Sequence, residues 1–116
     1  MSDAIHRFFD AWAGDDAAAR AEAVKGAMAA DFAYADQKTK GQIKDAAKLS
    51  AYIDDFGATG WGARVMKVDS VAGFDRVLVG FGPDGAAEQT GQSFVKCDKD
   101  GRIRRMVGFV GTGAPE

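Results

Sequence analysis

His6 is the only histidine of the chain and Cys97 its only cysteine. A Ser-His-Asp or Cys-His arrangement would therefore have to use His6, and a zinc site would have to pair His6 with Cys97 and carboxylates. Neither combination has support in the residues around it. Cys97, at a strand end, reads as a small buried hydrophobe, and a single thiol allows no intramolecular disulfide. His6 reads as a surface or half-buried side chain. The segment GATGWGA (57–63) is as glycine-dense as a phosphate loop. It follows a helical pattern, where a dinucleotide fingerprint must follow a strand, so it reads as a flexible connection. KDGRIRR (99–105) is the one basic cluster and reads as solvated charge around a turn. The remaining concentration of chemistry is aromatic. Ile5, Phe8, Phe9 and Trp12 recur at helical spacing and form one heavy stripe, which suits a core and equally suits the wall of a cavity for an apolar ligand.

The elements that must position this stripe follow from periodicity and punctuation. The first helix runs from about Ser2 or Asp3, either of which can cap it, to Ala13. A second, alanine-rich helix starts at Asp15 or Asp16 and reaches about Met28, burying Val24, Ala27 and Met28. Phe32-Ala33-Tyr34-Ala35 is a short alternating strand ending at Asp36, and QKTKG is a polar loop. A third helix spans Gln42 to Phe56, with Ile43, Ala46, Ala47, Leu49, Ile53 and Phe56 facing inward and Gly57 placed to stop it. Four strands complete the chain, at about 64–71, 76–82, 88–97 and 103–111, separated by turn-forming Ala72-Gly73-Phe74-Asp75, Pro83-Asp84-Gly85-Ala86 and the CDKDGR turn. The tail TGAPE is expected to fray.

The last two strands form a long antiparallel hairpin. Alternation puts Ser93, Val95 and Cys97 on one face of the first strand and Phe94 and Lys96 on the other. The second strand separates Met106, Gly108 and Val110 from Ile103, Arg105, Val107 and Phe109. Both faces carry large apolar groups. A sheet with one side in water should be apolar on one side only, so the second face is expected to meet another subunit.

At 116 residues, 47% hydrophobic and 28% charged, the chain is an ordinary globular composition sized for one domain, residues 1–116. No apolar run reaches membrane-spanning length and no signal pattern opens the chain, so a cytoplasmic protein without membrane contact is expected. A net charge of −2, with the basic residues scattered, argues against a nucleic-acid partner. No cofactor or metal is implied. Helix, helix, short strand, helix and four-strand meander make an α+β fold, with helices on one face of a curved antiparallel sheet.

That order, with FFDAWAGDD near the start, ADFAYAD before a polar loop and a helix, and CDKDGRIRRM in the final hairpin, resembles the nuclear transport factor 2-like superfamily. Its SnoaL-like and ketosteroid isomerase-like branches are the nearest in pattern. The resemblance covers nearly the whole chain. It implies a conical barrel, related to the cystatin-like fold, whose sheet curls around the N-terminal helices and leaves an apolar cavity open at one end. It also implies a homodimer. Phe8, Phe9, Trp12, Tyr34, Phe56, Met66, Val95, Met106 and Val110 would line the cavity around a small apolar molecule.

In the ketosteroid isomerases a carboxylate just after the first short strand is the general base, and Asp36 occupies the matching place. Such chemistry needs a carboxylate at the rim of a dry cavity. The family's oxyanion hole uses a tyrosine in the first helix and a protonated aspartate in the penultimate strand. The tyrosine position falls on Arg7 or Phe8 and the aspartate position on Ser93. Tyr34 could replace the missing phenol if its ring points inward; otherwise it packs at the cavity mouth or an interface. Asp36 could equally be a turn-forming aspartate in solvent. The resemblance therefore implies a small-molecule-binding domain without a complete catalytic constellation. Its alternative is a small acid/base enzyme of isomerase, cyclase or hydrolase type, using Asp36 on an apolar carbonyl or epoxide.

Overall fold

The computed structural model describes residues 3–12, 16–83 and 87–111; Ser2, Asp15, the 84–86 part of one turn and the TGAPE tail lie outside them. α1 spans Asp3–Asp10 and continues as a turn in which the Trp12 N–H reaches the Phe9 carbonyl at 3.1 Å. Its stripe is buried as the spacing requires, with Ile5 and Phe8 fully inaccessible. α2, Ala17–Ala27, is capped by Asp16, whose carboxylate accepts the Ala18 and Ala19 N–H groups at 3.0 and 3.2 Å. Arg20 on α2 is buried; its Nε donates to the Ala11 carbonyl at 2.8 Å and its guanidinium pairs with Asp54 of α3. One side chain thus ties three helices together beside Trp12.

Several boundaries differ from the sequence reading: α1 ends at Asp10, the strand Phe74–Pro83 begins inside the expected turn, and three others bear on the site. β1 is Met28–Asp36, beginning directly at the end of α2 instead of at Phe32. Alanines 29 and 30 are poor strand formers, and they lie in an irregular stretch held at its two ends, where Met28 pairs with Ile103 and Ala33 with Arg105. β1 pairs in parallel with β5 (Ile103–Val110), from Met28↔Ile103 to Asp36↔Gly108, with an irregularity between Met28 and Ala33. α3 is Ala46–Gly57, not 42–56, because Asp45 caps it through the Ala47 and Lys48 N–H groups. Ile43 instead bridges Tyr34, so the loop after β1 is sewn back onto the strand, while Ala47 is exposed. β2, Trp61–Val71, takes in half of GATGWGA: Trp61, Gly62 and Ala63 pair with Pro83, Gly82 and Phe81 of β3 (Phe74–Pro83), so this stretch is strand and not a flexible connection.

The sheet order is β1-β5-β4-β3-β2, with β4 at Gln89–Cys97. The four-strand meander is antiparallel as expected, and the parallel edge strand β1 makes the curved sheet mixed. The β2–β3 turn places Ala72 and Gly73 at φ 52° and 84°, the left-handed pair that a two-residue hairpin demands. In the last hairpin Asp98 accepts the Asp100 and Arg102 N–H groups at 2.9 and 3.0 Å, and Gly101 takes φ 82°. The core lies between the inner sheet face and the helices, with Leu49, Ile53, Val77, Val79, Val95 and Met106 sealed from solvent. Ile103 joins them, although alternation set it on the outer face, because the register shifts between Lys96 and Cys97. Among the described residues no helix is long and apolar enough to cross a membrane.

Candidate functional site

At the end of the barrel where β1, β4 and β5 meet α1 and α3, six rings enclose a cavity: Phe9, Trp12, Tyr34, Tyr52, Phe56 and Phe81. Successive rings meet edge to face or tilted, with centroids 5.0 Å apart for Trp12 and Phe56, 5.7 Å for Phe56 and Phe81 and 6.1 Å for Tyr34 and Tyr52. The cavity volume is about 80 Å³. That holds several waters or a compact organic molecule. The exposed side chains Gln37, Lys38 and Gln89 stand at the opening.

The floor is a cross-strand row. Asp36 of β1 pairs with Gly108 of β5, which pairs with Ser93 of β4. Because Gly108 has no side chain, a recess opens between its neighbours: a Cβ there would stand 3.3 Å from the Asp36 Cβ and 3.5 Å from the Ser93 Oγ. Ser93 is only 7% exposed, and its hydroxyl has no hydrogen-bond partner among the described residues. Such a group is expected to be satisfied by something that enters.

Asp36 is heavily engaged. The Tyr34 hydroxyl donates to Oδ2 at 2.7 Å, and the Tyr52 hydroxyl donates to Oδ1 and Oδ2 at 2.8 and 2.7 Å. The backbone N–H groups of Lys38 and Thr39 donate to Oδ1 at 2.8 and 3.1 Å. Two carboxylate oxygens offer about four lone-pair sites, and here four donors fill them. So Asp36 is both a turn-former and a cavity-facing carboxylate; the two sequence alternatives are one geometry. Burial first, and then the adjacent Asp36 charge and hydrogen bond, raise the proton affinity of Tyr34 far above that of an ordinary phenol. Burial, the hydrogen bond to Asp36 and its charge do the same for Tyr52.

Of the residues expected at the cavity, Tyr34, Asp36 and Ser93 come together at its floor, and Phe9, Trp12, Phe56 and Val110 line it. Four do not line it. Phe8, Val95 and Met106 are at most 1% exposed and form core behind the wall. Met66 is the extra residue of a bulge between Val65 and Lys67, which turns it outward to 44% exposure in a separate depression beside His6. Arg7 supplies no cavity group either; it is exposed and reaches the Gly26 carbonyl. Tyr52, Phe81 and Gly108 are among the lining residues that the sequence reading missed. Tyr52 stands three residues after Leu49 and four before Phe56, so the inward stripe of α3 already pointed to it. Phe81 alternates with inward Val77 and Val79. Among the described residues no three His, Cys, Asp or Glu side chains gather as metal ligands would.

No protein-family model matches the chain, and no curated protein matches it in sequence. Solved structures do match. A protein of the SnoaL-like family from Agrobacterium tumefaciens is 24% identical, with a TM-score of 0.80 over 94% of this chain and 95% of that one. A SnoaL-like protein of unknown function from Burkholderia thailandensis is 11% identical, with a TM-score of 0.70 over 97% and 99%. A protein with a cystatin-like fold from Silicibacter pomeroyi is 11% identical, with a TM-score of 0.70 over 97% and 77%. At these identities the likeness speaks of architecture, and on that ground the chain has the nuclear transport factor 2-like fold, as SnoaL-like and ketosteroid isomerase-like proteins do.

Proposed function

We propose that the protein binds a small molecule in the ring-lined cavity, its apolar body against the aromatic wall and one polar group in the recess over Gly108. The observation that carries this reading is the Ser93 hydroxyl, which opens onto the floor of an apolar cavity and has no hydrogen-bond partner among the described residues. A hydroxyl that nothing in the protein pairs, set among rings, offers an entering polar group a hydrogen bond worth about 1 kcal/mol. Native mass spectrometry of the freshly purified protein, set against its denatured mass, tests the reading. A mass excess that disappears in Gly108→Ala, whose new methyl fills the recess, is the expected result; the same excess in both proteins would place the molecule elsewhere.

A second reading is acid/base turnover by Asp36 on an apolar carbonyl or epoxide, favoured by its place at the cavity floor between two phenols. Against it stands the engagement of every lone-pair site: Asp36 must release a phenol before it can accept a substrate proton. Asp36→Asn separates the readings, since loss of turnover with binding retained belongs to an enzyme alone.

The outer sheet face fits a second copy of the chain. Phe94, Val107 and Phe109 are 44%, 39% and 47% exposed on adjacent strands, and the Phe94 and Phe109 rings stack edge to face at 5.9 Å. A contiguous apolar patch of this kind is unusual on a monomer. Phe94→Ser is expected to convert a dimer to monomer in light scattering, and a monomeric parent protein would remove the proposal.

A further inference from the structure

Resting on the reading that the cavity takes a ligand, we infer that the ligand is a compact lipophilic cation, an alkylammonium whose charge lies against Asp36 and the ring faces. Three features of the cavity carry this. The first is charge. All the donors on Asp36 are neutral, two phenols and two backbone N–H groups, and no cationic side chain pairs with it among the described residues. Half-buried carboxylates are normally paired with a cation or left in water. Here the charge faces a cavity.

The second feature is the wall. Rings present negative faces to what they enclose, and a cation within about 6 Å of a ring centroid gains most where water is excluded. The cavity is walled by six of them. The third is the balance of donors and acceptors. A carboxylate carries no proton of its own, so the Tyr34 and Tyr52 hydroxyl protons are committed to Asp36, and both phenol oxygens offer only lone pairs to anything else in the cavity. Burial and the Asp36 charge hold those protons in place. Ser93 and Thr90 carry uncommitted hydroxyls, which can accept as well as donate. At the floor an anion or oxyanion would meet a carboxylate, two lone-pair-bearing oxygens and the ring faces, with only the unpaired Trp12 indole N–H in the wall to offset them; a cation meets attraction from the carboxylate, the oxygens and the rings. Lys38 is the only cation lining the cavity. It stands exposed at the opening, where solvent and salt screen it, and it adds nothing to balance the floor.

Choline and 3,3-dimethylbutan-1-ol have the same shape, one carrying a quaternary nitrogen where the other has carbon. Their affinities for the whole protein, measured by calorimetry at low ionic strength, isolate the charge. Choline is expected to bind about tenfold or more tightly than the alcohol, the scale of a desolvated cation among rings. In Asp36→Asn that preference should collapse while the alcohol's affinity moves less than about threefold. Phe81→Leu, which replaces one ring by an aliphatic group and leaves Asp36 untouched, should lower the preference by itself should the first variant fail to fold. Equal affinities, or tighter binding of the alcohol, would overturn the cation inference while leaving the cavity a ligand site. Binding of neither molecule would remove both.

Discussion

The inner and outer faces of the same strands have opposite constructions. On the inner face the row Asp36, Gly108, Ser93, Val77 grades from a hydrogen-bonded carboxylate through an empty position and an unpaired hydroxyl to sealed core. One residue along, the outer row Ala35, Val107, Phe94, Arg76 leaves its largest apolar side chains in solvent. Alternation along a strand produces both rows, yet only the inner one is closed over by helices. Polar groups have therefore been concentrated where water is scarce, and apolar groups left where water is plentiful. Each reversal of the ordinary pattern is where a proposed partner would sit, a small molecule inside and a second copy outside.

The strongest way to break the comparison is to truncate neighbours on opposite faces. Met106→Ala, at a fully buried position, should cost about 2–5 kcal/mol of stability by denaturant unfolding, while Val107→Ala should stay within about 0.5 kcal/mol at protein concentrations where the chain is monomeric. Equal losses would mean that the outer face is as buried as the inner. The two faces also hold contrasting carboxylates. Asp36→Asn withdraws the charge that four donors share and should cost about 1–3 kcal/mol. Asp69, whose proton affinity is lowered chiefly by the Arg76 hydrogen bond at the outer surface, should tolerate Asp69→Asn with no measurable change.

A finer comparison uses pH. Tyr34 and Tyr52 are the only tyrosines of the chain, so phenolate absorbance at 295 nm reports on them alone. In the unfolded chain they ionise near pH 10. Both folded values are raised, so their contribution to stability is complete below pH 10. It falls as the pH rises above 10, because the unfolded state ionises first. The folded protein should show no phenolate at pH 10.5 and should lose stability from there upward. Phenolate appearing at pH 10 in the folded state would show that the Asp36 cluster is open to water. The smallest effect belongs to Ser93→Ala, which removes a cavity-floor hydroxyl that has no partner among the described residues and should leave stability unchanged or slightly higher.

How far these contrasts could be read from the sequence depended on whether their cause was local. The α1 stripe, the Asp16 cap, the hairpin turn at Asp98 to Gly101 and the inward Ser93 and Val95 follow from neighbours a few residues apart, and all were legible. The start of β1 was not, because it is set by the pairing of Met28 with Ile103 of β5, far along the chain. Neither was the outward turn of Met66, which depends on a bulge that no residue type announces. Asp36 and Tyr34 could be placed on one face of a strand by alternation. The second phenol on that carboxylate comes from α3, sixteen residues on, and needed the packing of helix against sheet to arrive.

The most direct test of the ligand cavity uses the indole N–H signals of the two tryptophans. Trp12 is 4% exposed in the cavity wall, and Trp61 lies at the start of β2 away from it. Proton–nitrogen spectra recorded while the protein is titrated with compounds of six to ten heavy atoms should find molecules that move the Trp12 signal and leave Trp61 in place, and Gly108→Ala, still folded, should abolish the shift. Compounds that never move Trp12, or that move it equally in the Gly108→Ala protein, would contradict the account.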